Sequence, residues 1–247
     1  MKATNIFSSI TRTSSSTTSD GSTDSAPYKS YKLVSDHAPS RRDMKLQEDE
    51  TSTTFFSIQA PRLTSDQRPE VHLRDATNSE TLATAQVRRS TSAREFAFRL
   101  SDTPHAYFAW TPVRAAARSF PEESCFEFRF SGSSYVWIRT HSADLGASRW
   151  TGRCYKLVQG SYDDLRHGDD ELEPPAHRQV LMAYLHSPWF DRHAHCAGEI
   201  RVFGRDDREE QVEECWERAG IITALGIQLR EREMRGEALR GVGKTAG

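Results

Sequence analysis

Three histidines and one cysteine in the last third of the chain have a spacing that metal ligation could use. They are His186, His193, His195 and Cys196, with Asp191 between them. Zinc in proteins takes three or four nitrogen, sulfur or carboxylate ligands, so this group could supply a site. The alternative is a solvent-exposed loop that connects two strands, which the run Ser187-Pro188-Trp189 favours. We favour the loop and expect no metal and no cofactor.

Arginines are concentrated in a second segment, which contains Arg88, Arg89, Arg94 and Arg99. Side chains alternate between the two faces of a strand, so some of these arginines could share a face and bind the phosphates of an anionic phospholipid. The alternative is that they cover the solvated outside of a β-structure. The net charge of −2 gives no basis for a nucleic-acid partner, although it can conceal a local basic patch.

No sequence motif indicates an enzyme. The chain lacks GxSxG, HExxH, a complete P-loop and a glycine-rich dinucleotide loop. The segment 241–245 matches only the end of a P-loop, and neither the first glycine nor a following helix accompanies it. We therefore expect a protein without catalytic activity.

Short strands separated by turns are predicted from Tyr31 onward. In the clearest case, the aromatic residues Phe126, Phe128 and Phe130 alternate with charged residues, a period of two that marks a half-buried strand. The turn at 131–133 predicts a hairpin with the next strand. The charged segment 41–50 is expected to be a loop. Ten or more strands at this spacing favour a sandwich or a barrel.

A long helix is predicted over 208–235, and its middle, Ala219 to Ile227, is apolar on every side. A helix of this kind must be enclosed, and its apolar part is too short to cross a bilayer. The residues expected to form its buried surface are Trp216, Ile221, Ile222, Leu225, Ile227 and Leu229.

Together these elements predict a mainly β fold, a closed antiparallel barrel of about twelve strands around a hydrophobic C-terminal α-helix. Gly220 and Gly226 would let the barrel wall approach the helix closely. The alternative, a helix packed on one face of an open sandwich, requires a polar side that the apolar run lacks.

Several segments are similar in pattern to the barrel shared by tubby C-terminal domains, phospholipid scramblases and the LURP-one-related proteins. They are Val71 to Asp75 followed by Leu82 to Ala85, Phe126 to Phe130 with Tyr135 to Ile138, Cys154 to Val158, and the helix. The resemblance implies a non-enzymatic adaptor or phospholipid-binding module, with an anionic phospholipid or a protein as partner. The alternative is a small-molecule or metal-dependent hydrolytic enzyme that uses His186, His193 and His195 at a barrel mouth.

The remaining expectations concern organisation and location. Residues 1–27 are rich in serine and threonine and are predicted to be disordered, 28–236 to form one barrel domain, and 237–247 to be a flexible tail. The four cysteines are widely spaced, which favours a reducing intracellular compartment, most simply the cytoplasm. The acid-free segment 1–19 leaves mitochondrial targeting as an alternative. We expect a monomer without a transmembrane segment.

Overall fold

The structure is a computed structural model that describes residues 27–34, 43–60, 68–87, 95–101, 110–115, 125–147, 153–163, 179–186, 196–203 and 210–242. For 43, 196–197, 210–213 and 232–242 it describes the backbone only. The strands are β1 (Lys29–Val34), β2 (Asp43–Glu48), β3 (Thr54–Gln59), β4 (Glu70–Asp75), β5 (Thr81–Val87), β6 (Glu95–Leu100), β7 (Thr111–Ala115), β8 (Phe126–Phe130), β9 (Ser133–Thr140), β10 (Cys154–Gln159), β11 (Val180–His186) and β12 (Cys196–Val202). A long helix, α1 (Glu210–Val242), follows them.

The twelve strands form one closed antiparallel barrel. Each strand pairs with its neighbours in the chain, and β1 also pairs with β12, which closes the sheet. The predicted mainly β barrel is therefore confirmed. The expectation of a loop over 41–50 was wrong, because β2 lies within it. Met44 and Leu46 of β2 are buried and alternate with the more exposed Lys45 and Gln47, so the charged residues of this segment conceal a strand period.

The predicted hairpin between β8 and β9 is confirmed. Its turn has two residues, Ser131 and Gly132, with φ angles of 46° and 77°. Two successive positive φ values are the signature of the tight turn whose twist matches that of paired strands. The second position favours glycine because it has no Cβ.

Helix α1 runs through the barrel from one end to the other. We name the end at Lys29 and Val202 the entry end and the end at Val34 and Cys196 the exit end. The side chains of Ile221, Ile222 and Ile227 are fully buried. Of the other expected helix residues, Trp216 and Leu225 are buried, and Leu229 is partly buried against the same core. The helix continues past Gly236 to Val242.

Both helix glycines lie where the wall comes closest. A Cβ placed on Gly226 would lie 2.2 Å from Cε2 of Phe96, and one on Gly220 would lie 2.6 Å from Cε of Met182. The predicted close approach of wall and helix at these two glycines is confirmed.

Two buried glutamates fix the helix at opposite ends of the barrel. Glu217 accepts hydrogen bonds from the Tyr31 hydroxyl at 2.5 Å and from Lys29 Nζ at 3.0 Å. Glu231 accepts hydrogen bonds from the Tyr155 hydroxyl at 2.5 Å and from Arg153 Nη1 at 2.9 Å.

These two carboxylates are 4% and 6% exposed, and buried charges of this kind require such partners. They are separated by roughly four helical turns, about 21 Å. Since each is held by a cation and a tyrosine that belong to the wall, the axial position of the helix is specified at both ends.

A third polar contact lies midway along the helix. Trp137 Nε1 donates a hydrogen bond to Thr223 Oγ1 at 2.9 Å, and this hydroxyl in turn bonds the carbonyl oxygens of Ala219 and Gly220. Thr223 is the polar residue within the apolar run, and its hydroxyl satisfies a wall tryptophan that would otherwise be buried without an acceptor.

Within the described residues, no helix has both the length and the apolarity that a membrane crossing needs.

Candidate anion-binding site

A row of polar side chains crosses four neighbouring strands on the outside of the barrel. The register pairs Gln59 of β3 with His72 of β4, His72 with Thr84 of β5, and Thr84 with Arg99 of β6. These positions alternate with buried core residues such as Leu73 and Phe98, so the row lies on the outer face. We name the group formed by His72, Arg74, Thr84, Arg99 and Trp110 the wall site.

Thr84 forms the floor of the wall site. It is 1% exposed although it lies on the outer face, and its Oγ1 is 3.1 Å from Nδ1 of His72. On the β6 side, the guanidinium of Arg99 lies over the indole of Trp110, 5.0 Å from the ring centre. This stacking holds the stem of an exposed arginine in place and leaves the edge of its guanidinium for hydrogen bonds.

Arg74 is the second cation of the wall site, two residues after His72 on β4. Its cross-strand neighbours, Ser57 and Thr81, are uncharged. Its Nε is buried and has no hydrogen-bond partner among the described residues. A buried donor without an acceptor costs about 1–3 kcal/mol, so this atom marks a position where an acceptor would be stabilising.

Two other wall arginines differ from this pair. Arg114 of β7 lies between Glu95 and Glu127 in the register, and Arg201 of β12 donates to Glu199 at 2.6 Å. Their charges are therefore balanced by adjacent carboxylates. For Arg74 and Arg99 the described residues include no ion pair, so both guanidiniums are available to a ligand.

The environment of His72 keeps its imidazole neutral near pH 7. Burial is the largest cause that lowers the pKa of His72; the carboxylate of Glu70 acts in the opposite direction, and the charges of Arg74 and Arg99 lower the pKa further. Arg74 lies two residues after His72 on β4, and the register places Arg99 beside Thr84, the cross-strand neighbour of His72, so both arginines belong to one region of the wall. Two guanidiniums, a histidine and a hydroxyl are the groups that bind an oxyanion, above all a phosphate.

Only one residue of the predicted arginine group, Arg99, lies in the part of the chain that the structure describes. Arg88, Arg89 and Arg94 lie outside the described residues. Val87 and Glu95, which flank them, stand at the exit end of the barrel, whereas Arg99 lies in the half nearer the entry end. The structure therefore gives the position of Arg99 alone, and phospholipid binding by any of the four arginines stays a prediction.

The predicted metal group is also only partly described. His186 ends β11 and is paired with Gly198, two residues after Cys196, so these two candidates stand near each other at the exit end. His193 and His195 lie outside the described residues, as does the side chain of Cys196. No group of three or more histidine, cysteine or acidic side chains in the described part of the chain could hold a metal ion.

Sequence reasoning missed His72, Arg74 and Thr84. The alternation in Val71 to Arg74 does place His72 and Arg74 on one face, which is a readable signal. What the sequence does not contain is the pairing that brings β4 beside β5 and β5 beside β6.

Comparison with known proteins gives no match: no family model, no curated protein and no solved structure matches the chain.

Proposed function

We propose that this protein is a non-enzymatic module that binds the phosphate groups of anionic phospholipids on the outer wall of its barrel. The observation that carries the proposal is the pair Arg74 and Arg99, which flank His72 on one face and have no carboxylate partner in the described structure. Guanidinium groups bind phosphate oxygens through paired, charge-assisted hydrogen bonds, so two of them within one site favour a phosphate over a neutral ligand.

The filled interior of the barrel supports binding on its outside. Small barrels that carry a ligand inside keep an open lumen, but here the lumen contains α1. Seven consecutive helix residues, Ile221 to Ile227, are buried between the walls. A ligand that avoids displacing the helix therefore has to contact the outer wall or the barrel ends.

The architecture itself also supports the proposal. A twelve-stranded antiparallel barrel around its own C-terminal helix is compatible with tubby and LURP-type modules, which the sequence pattern resembles. Kinship with that group, action as an adaptor for a protein partner and the monomeric state are parts of the proposal. So is a cytoplasmic location, where the inner membrane leaflet presents anionic headgroups.

Liposome flotation tests the proposal. The full chain is mixed with phosphatidylcholine vesicles that contain either no anionic lipid or about 5% of a phosphoinositide. We expect flotation with the second vesicles only, and we expect it to weaken as salt is raised, because phosphate contacts with arginine are screened. The double variant Arg74→Ala/Arg99→Ala should lose at least about tenfold in affinity, which corresponds to about 1.4 kcal/mol.

A matched control is available on the adjacent strand. Arg114→Ala removes the same charge from the same outer wall, but from a position between Glu95 and Glu127. It should leave vesicle binding unchanged. Equal binding to neutral vesicles, or equal losses in the Arg114 variant and the double variant, would show that the wall site does not recognise phosphate.

A further inference from the structure

His72 occupies the centre of the wall site, and the groups around it define what it can do there. Gln59 faces it from β3 and Thr84 from β5, while Glu70 and Arg74 flank it on its own strand and Arg99 completes the row from β6. Its Nδ1 is engaged by the Thr84 hydroxyl at 3.1 Å. Its Nε2 makes no hydrogen bond among the described residues.

The protonation state of His72 decides how strongly the ring can assist an anion. A neutral imidazole has one N–H, and the ring then offers one donor and one acceptor. In the neutral tautomer that carries its proton on Nε2, Nδ1 accepts from the Thr84 hydroxyl and Nε2 can donate to a ligand oxygen. An imidazolium keeps the Nε2 donor, donates from Nδ1 to Thr84 as well, and adds a positive charge that strengthens its hydrogen bond to an anion. A bound oxyanion favours the imidazolium because it supplies an acceptor and a negative charge together.

We propose that His72 is the third anion ligand of the wall site and binds an oxyanion more tightly as imidazolium than as neutral imidazole, so that oxyanion binding is coupled to proton uptake by this ring. This inference rests on the proposed function, since it describes the same site. It makes membrane attachment sensitive to pH, with tighter binding in acid.

The sign of the effect follows from the charges. In the free protein, burial lowers the pKa of His72, Glu70 opposes that change, and Arg74 and Arg99 lower the pKa further. A bound anion offsets the two guanidinium charges and raises the pKa in the complex. Between the two pKa values the complex holds more protons than the free protein, so affinity rises as pH falls, by up to about tenfold per pH unit for one proton.

Sulfate is the suitable probe, because it stays a dianion across the range in which histidine titrates, whereas phosphate titrates itself. The dissociation constant of sulfate is measured by calorimetry with the full chain at pH values from about 5.5 to about 8. The pKa of His72 is measured by NMR with and without sulfate. We expect tighter binding at the acid end and a higher His72 pKa in the presence of sulfate.

His72→Gln is the matched variant, since glutamine keeps a hydrogen-bonding group near Thr84 and cannot titrate. Its affinity for sulfate should change little with pH, and its melting temperature should show that it folds. Glu70→Gln should strengthen sulfate binding at the acid end of the range, where His72 is protonated in both proteins, because it removes a nearby negative charge.

The possible results separate the two proposals. If wild type and His72→Gln bind sulfate with the same pH dependence, the role of His72 is overturned, while binding lost in Arg74→Ala/Arg99→Ala still supports the site. If sulfate binds at no pH and the His72 pKa does not move, the proton-linked role is overturned as well. In that case vesicle flotation alone decides the proposed function.

Discussion

Replacing Gly226 with alanine tests most directly whether the barrel wall encloses the helix. In an exposed helix this change stabilises, because glycine is about 1 kcal/mol less favourable than alanine. Here the new Cβ would lie 2.2 Å from Cε2 and 2.7 Å from Cδ2 of Phe96, a ring that is fully buried. Contacts this short require either the ring or the helix to move.

The expected change in the free energy of unfolding is the cost of the clash with Phe96 minus the gain in helix propensity. Overpacking a core by one methyl group typically costs about 1–3 kcal/mol. Phe96 packs against Phe126 at a ring separation of 6.3 Å, so its ring has little space to shift and the cost should lie at the upper end. After the propensity gain of about 1 kcal/mol, we expect Gly226→Ala to lower the free energy of unfolding by about 2 kcal/mol.

Gly220→Ala is the matched comparison on the same helix. Its Cβ would meet the Sδ and Cε atoms of Met182, the flexible end of a side chain that can adopt another rotamer. We expect this variant to be within about 1 kcal/mol of wild type.

The stability of both variants is measured by urea unfolding followed by tryptophan fluorescence. The same Gly226→Ala change in a protein that also carries Phe96→Leu tests whether contact with the Phe96 ring causes the loss. In Phe96→Leu, which removes Cε2 and Cζ but keeps branched Cδ atoms, the added Gly226→Ala change should cost less than it does in wild type. A Gly226→Ala protein more stable than wild type would refute the enclosed helix. An undiminished cost in the Phe96→Leu background would refute the assigned contact.

Three further changes probe the interior. Ile222→Asp should abolish soluble expression, because it places a carboxylate where the side chain is fully buried; normal yield and cooperative melting would contradict this. Thr223→Val should cost about 1–3 kcal/mol in urea unfolding, since Trp137 Nε1 loses its acceptor; an unchanged midpoint would contradict this. Burial, and then the adjacent glutamate, raises the pKa of both Tyr31 and Tyr155. The folded state therefore holds more protons than the unfolded state above about pH 10, so stability should fall there as pH rises, and less steeply in Tyr31→Phe and Tyr155→Phe; equal slopes would argue against buried hydroxyls.

Local pattern was sufficient to predict the architecture. The alternation in Phe126 to Phe130 has a period that a helix cannot satisfy, and the run Ala219 to Ile227 is apolar on all sides, which an exposed helix cannot tolerate. Both signals arise within a few adjacent residues. The strand β2 was not predicted, because its buried residues, Met44 and Leu46, lie in a segment that is rich in charged residues.

The wall site depended on information that is not local. Which strands pair, and in which register, is decided by how the whole barrel closes, and a slip of one residue would turn His72 and Arg74 into the core. The number of arginines in the sequence pointed to the segment from Arg88 to Arg99. In the structure, the second arginine of the wall site beside Arg99 is Arg74, which comes from a different hairpin.

The two ends of the helix also separate what the sequence determines from what the tertiary structure decides. From the sequence, Glu217 and Glu231 belong to charged segments on either side of an apolar run, and such residues are ordinarily solvated. The fold instead buries both, because Tyr31 with Lys29 and Tyr155 with Arg153 reach them from the wall. The amino-acid sequence alone determined that a sheet had to enclose this helix, since its apolar surface requires burial. Only the tertiary structure decided which polar groups meet, because hydrogen bonds and ion pairs depend on distances between residues far apart in the chain.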